Sequence, residues 1–193
     1  MAAGPNPPVS DWLAEAGRLT FQAHQIAEHL TEEQFNRRPG PDKWSAGECL
    51  SHLAIVTGLV AGKLKPALEQ ARSAGKSGSG PFKYGLIGSW FVRTMEAPGK
   101  RPMPTPENFA PPSGLAKAEV MAAFDRSYLS FREALALADG LALDRIRAAS
   151  TAKGAGRLSL NSAAWFASTL AHTRRHLQQA ERAVGTEKRG GLP

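Results

Sequence analysis

A chain of 193 residues has room for one domain with a substantial core, and an apolar content of 42% with well-mixed charges excludes a disordered polymer. No apolar run is long enough to span a bilayer, so no membrane partner is expected. Lys plus Arg number 24 against 17 for Asp plus Glu, a net charge of +7. The positives are scattered, with no helix-turn-helix pattern, RNA-binding aromatic signature or zinc-finger cysteines, so no nucleic-acid partner is expected either.

Residues 1–9 hold prolines at 5, 7 and 8 and carry neither a basic segment nor an apolar signal core, which predicts a flexible lead-in and a cytoplasmic chain. The only cysteine, Cys49, cannot form an internal disulfide, in keeping with that compartment. A first helix is predicted over Asp11–Leu30, capped by Ser10, because Trp12, Leu19, Ala23, Ile26 and Leu30 recur at helical spacing. Thr31-Glu-Glu-Gln34 has the form of a capping box and predicts a short extra turn. Residues 37–41, Arg-Arg-Pro-Gly-Pro, form a connector.

The second helix is predicted over Ser45–Ala71, with Ser45 as cap and Glu48 closing a capping box. Cys49, His52, Leu53, Val56, Val60 and Leu64 share one side, which sets His52 inside an apolar arc, and Pro66 is expected to disturb the helix near its end. Residues 73–81 have the small, polar composition of a flexible linker. Phe82–Met95, with Trp90 and Phe91, reads as a short helix, and residues 98–112, with six prolines, as an extended loop suited to a site mouth. The third helix is predicted over Leu115–Ala138 with Val120, Phe124, Leu129, Phe131 and Leu135 in the core and Gly140 at the stop position. Residues 150–158 are small, polar and flexible in composition.

The fourth helix starts near Ser159 or Leu160 and ends near Val184, with an apolar arc of Trp165, Phe166, Leu170, Leu177, Ala180 and Val184; a flexible tail, 186–193, follows. No strand is predicted. Long connections separate helices two, three and four, so the expected architecture is an all-α, antiparallel four-helix bundle in a single domain over 1–193.

Three histidines carry the functional argument. His172 and His176 are four apart and share one helix face. His52 comes from the second helix. If the three converge, they form a three-imidazole metal site with open positions, the layout of a catalytic centre. His24 and His29, five apart, fall on different faces and read as structural or solvent-facing. Glu48 has two readings: a base or orienting group one turn from His52, or the capping-box partner of Ser45. Cys49 has the chemistry of a zinc ligand but reads as a small core residue. Arg174, Arg175 and Arg182 lie largely on the opposite side of the fourth helix; Arg174 and Arg175 have two readings, contact with an anionic substrate or a solvated surface, and their position away from the histidines favours the second.

Residues 38–54, Arg-Pro-Gly-Pro-Asp-Lys-Trp-Ser-Ala-Gly-Glu-Cys-Leu-Ser-His-Leu-Ala, preceded by Leu-Thr-Glu-Glu-Gln, resemble the DinB-like (DinB/YfiT) superfamily. The segment His-Thr-Arg-Arg-His-Leu-Gln-Gln-Ala-Glu, residues 172–181, is similar to that family's final-helix motif. The resemblance spans nearly the whole chain. It implies an up-down-down-up bundle and a zinc or nickel site held by His52, His172 and His176, with water in the open positions. It also implies a metal-dependent transferase that uses a low-molecular-weight thiol as co-substrate on a small-molecule substrate. A metal-dependent hydrolase and a bundle with a purely structural metal are the alternatives, and pairing with a second copy as a homodimer is open.

Overall fold

The computed structural model describes residues 8–96, 105–150 and 159–185. Residues 1–7, 97–104, 151–158 and 186–193 lie outside the described set. The readings of a flexible lead-in and tail therefore fall almost wholly outside it, as does half of the proline-rich loop.

The apolar stripe of the first segment folds as α1 (Val9–Glu28) and buries Trp12, Ala16, Leu19, Ala23 and Ala27. The helix begins before the expected Asp11, and Ser10 is not its cap. The Pro8 carbonyl accepts the first bonds instead, from the N–H groups of Asp11 and Trp12 at 3.0 and 3.4 Å. The predicted extra turn is α2 (Glu32–Asn36). Its capping box is closed in both directions: Gln34 N–H donates to Thr31 Oγ1 at 3.2 Å and Thr31 N–H to Gln34 Oε1 at 3.0 Å.

The second long helix, α3 (Ala46–Ser73), starts at the expected Ser45–Glu48 box and continues through Pro66. Phe35 of α2 is fully buried against its first turn, where a Cβ on Gly47 would stand 2.7 Å from the Phe35 ring. Only a glycine admits that approach. Within the linker-like residues 73–81, residues 76–78 run back beside the chain that follows α5 (Lys117–Ala138). Ser77 bridges to Leu141, Gly78 N–H donates to the Gly140 carbonyl at 3.0 Å, and Ala142 N–H donates to the Lys76 carbonyl at 3.0 Å. The Gly140 turn that allows this has φ +73°.

The predicted short helix is α4 (Gly85–Glu96), and a 3-10 turn follows at Glu107–Phe109. In α5, Leu129 is 59% exposed and leaves the predicted core set, while Tyr128 is buried in its place. The arc is turned by one residue, because Tyr128 stacks on Phe124 at 4.2 Å and its hydroxyl bonds Thr173. The fourth long helix, α6 (Ser162–Gly185), starts later than expected. A strand pair precedes it, β1 (Arg147–Ala149) antiparallel to β2 (Ser159–Asn161), with Ala148 opposite Leu160. The expectation of no strand is corrected here. Three-residue strands are too short to show alternation. Asn161 ends β2 and accepts from the Ala164 N–H at 2.9 Å, so it supplies the helix cap.

Cross-helix pairs give the directions. Arg174 bonds Glu15 and Gln22 donates to Glu181, so α1 and α6 run the same way. Lys65 pairs with Glu133 and Arg72 with the Leu137 carbonyl, so α3 and α5 run the same way. His24 against Asp125, and Lys117 donating to the Leu30 carbonyl, set α1 and α5 in opposite directions. The resulting all-α bundle packs its aromatic side chains centrally, with Phe166 at 5.9 Å from Trp12 and 5.6 Å from Phe131. Each such burial stabilises the fold by about 1.5–3 kcal/mol. Among the described residues, no helix is long and apolar enough to cross a membrane.

Candidate metal centre

Because Ser45 fixes where α3 begins, it also fixes which way His52 faces. His52 is 4% exposed and meets α6 at the one-turn pair His172 and His176. The ring centres lie 5.0 Å apart for His52 and His172, 4.7 Å for His52 and His176, and 4.4 Å for His172 and His176. One donor nitrogen from each falls within 4.8 Å of the others.

His52 Nδ1–H donates to the Phe109 carbonyl at 2.7 Å. That bond puts the proton on Nδ1 and leaves the Nε2 lone pair aimed inward, as in an oriented metal ligand. His52 Nε2 lies 3.2 Å from His172 Nε2. Two imidazole nitrogens bound at about 2.1 Å to one tetrahedral ion stand about 3.4 Å apart, so the spacing suits a shared ion. Nδ1 of His172 and Nδ1 of His176 are buried without a hydrogen-bond partner. Buried ring nitrogens normally find partners, and a donor set of this kind fits a divalent cation.

Electrostatics favours the ligating form. Burial lowers the pKa of His52, against which the Phe109 bond works. Burial, then the neighbouring His176 and His52, then Arg175, holds His172 well below the ordinary histidine value. Burial, followed by His52 and Arg175, pushes His176 down to about 3, with Gln179 opposing. At neutral pH the three rings are neutral, and a cation displaces no proton from them. Trp44, just before the Ser45 cap, walls one side: its ring lies 4.8 Å from His52 and stacks on His176 at 5.6 Å.

A family model for the DinB superfamily matches residues 18–180, which include all three histidines. The chain belongs to the DinB superfamily. Comparisons with curated proteins and with solved structures gave no match.

The other singled-out residues of this DinB chain fall away from the cluster or into structural roles. Glu48 is 2% exposed, accepts from the Ser45 N–H at 2.9 Å, and pairs through both oxygens with Arg38. Burial alone would raise its pKa, but the bonds from Arg38 and Ser45 prevail and hold it below the usual carboxylate range. Cys49 is fully buried, and burial, with Glu48 adding to it, pushes its thiol up to about 12. It is a neutral core thiol. His24 pairs with Asp125 at 2.8 Å on the surface, and exposed His29 stands 3.9 Å from Glu28. Arg174 ties α6 to Glu15 of α1 and Glu96 of α4.

Two participants were not legible beforehand. Trp44 had a signal, its place in the Lys-Trp-Ser segment before the cap. The Phe109 carbonyl had none, because backbone oxygens are the same at every residue.

Proposed function

We propose that His52, His172 and His176 hold a divalent metal, zinc or nickel, in a metal-dependent enzyme for a small-molecule substrate. The reading rests on one observation: three neutral imidazoles converge so that one ring nitrogen from each lies within 4.8 Å of the others. When bound, the ion would lower the pKa of a coordinated water or thiol. The chain's own contribution is to keep the rings unprotonated, to aim His52 through the Phe109 carbonyl, and to cover one side with Trp44.

Among the described residues the donor group is these three histidines. That supports an open site over a closed structural one, in which four protein ligands are usual. Transfer of a low-molecular-weight thiol to an electrophile is the preferred reaction. Water activation is helped by a free carboxylate base, whereas the Glu48 carboxylate is engaged by Arg38 and Ser45. Hydrolysis of a small ester or amide is the alternative.

Metal analysis of protein purified without chelator tests the proposal. Wild type should carry about one equivalent, as one three-ligand site requires, and His52→Ala and His172→Ala should each lose it. Wild-type metal content and affinity in both variants would refute it. A screen of thiol conjugation beside ester and amide hydrolysis then separates the two reactions.

A further inference from the structure

A groove of about 620 Å³ lies between the connector into α3 and the last two turns of α6. That size suits a small molecule. Trp44 lines it, and the same indole borders His52 and His176. Groove and imidazole cluster therefore share one wall.

The groove's polar lining has a sign. Lys43 and Arg182 are exposed and make no ion pair among the described residues. The acidic side chain of the lining, Glu181, accepts from the Gln22 amide at 2.7 Å. Gln178 and Gln179 add neutral carboxamides that can donate. Arg182, in the last turn of α6, offsets the partial negative charge of that helix end, which leaves Lys43 as the freest cation. Two separate cations with amide donors suit a single carboxylate, because charge-assisted hydrogen bonds are the stronger kind. The indole offers a flat face for an apolar body.

We infer that this groove is the substrate subsite of the metal centre and accepts a small-molecule carboxylate. The apolar part of the ligand lies on Trp44, and its carboxylate turns toward Lys43 and Arg182. The inference rests on the proposed metal reading for its role in catalysis, but binding to the groove needs no metal.

The test is ligand-observed NMR on chelator-treated protein, with a panel of aryl and alkyl carboxylates, each paired with its primary amide. Chelation removes direct ligation of a carboxylate by metal. Acids should bind and their amides should not, and the Lys43→Ala/Arg182→Ala double variant should weaken acid binding by about tenfold or more. Both side chains are exposed, so the variant should stay folded with the wild-type metal content, its melting temperature lowered only by the small loss of the Arg182 charge at the end of α6. The inference is overturned if no acid binds, if acids and amides bind alike, or if the double variant binds as wild type does. Acid binding in a protein that takes up no metal would remove the metal reading and keep the groove as a carboxylate site. Metal uptake without acid binding would do the reverse.

Discussion

Replacing His176 by glutamine should flatten the pH dependence of stability in chelator-treated protein. The folded chain holds the His176 pKa at about 3, mainly by burial, against an ordinary value of 6.5. A lowered pKa means that the unfolded chain binds the proton first as pH falls. The associated stability is therefore present above the ordinary value and is lost as pH drops below it. Between about pH 7.5 and pH 5 the unfolded imidazole takes up almost a full proton and the folded one almost none, which integrates to about 2 kcal/mol. For a chain of this size that is about 4–8 °C in melting temperature. His52 and His172 are shifted in the same direction, so wild type should fall further than this single share. Glu48, also lowered, loses its contribution only near and below its usual 4.5, outside the window. The assay is thermal melting followed by circular dichroism at both pH values. An equal drop in wild type and in His176→Gln would show that His176 is not the buried neutral group described.

Nickel or copper added to metal-free protein should quench indole emission, because Trp44 stacks on His176 at 5.6 Å. The Trp44→Phe variant should lose most of that quenching while still binding the ion, as followed by fluorescence titration beside metal analysis. Gly47→Ala should destabilise the protein. The new Cβ would stand 2.7 Å from the fully buried Phe35 ring, a strain of about 1–3 kcal/mol that exceeds the up to about 1 kcal/mol by which alanine favours a helix. A melting temperature equal to or above wild type would count against that contact. Glu48→Gln should lower the melting temperature by loosening Arg38 and the cap, with metal content unchanged; loss of metal at unchanged stability would give Glu48 a place at the centre instead.

Much of the bundle was legible because long helices repeat their instructions. Ser45 and Glu48 declare the start of α3, Thr31 and Gln34 that of α2, and Gly140 ends the turn after α5. Short elements repeat nothing. The strand pair at Arg147–Ala149 and Ser159–Asn161 is too brief for alternation, and Leu160 was absorbed into the helix that follows it. Leu129 shows the limit of helical spacing: one apolar residue beside a buried tyrosine looks like core until packing turns the arc. At the site, the spacing of His172 and His176 was visible, but their meeting with His52 depends on the side-by-side placement of α3 and α6. No local pattern encodes that placement. Linker composition concealed the bonds of Lys76 and Gly78, which run through main-chain atoms.

The Phe109 carbonyl has a consequence for how this centre tolerates change. Its bond to His52 is made by a main-chain oxygen, so substitution at position 109 leaves the acceptor in place. Insertion or deletion of one residue near it would shift the oxygen by a residue's length, about 3.3 Å or more. The centre should therefore be indifferent to the identity of this residue and sensitive to the spacing of its loop. In a set of relatives, that constraint would be recorded as constant loop length and not as a constant letter.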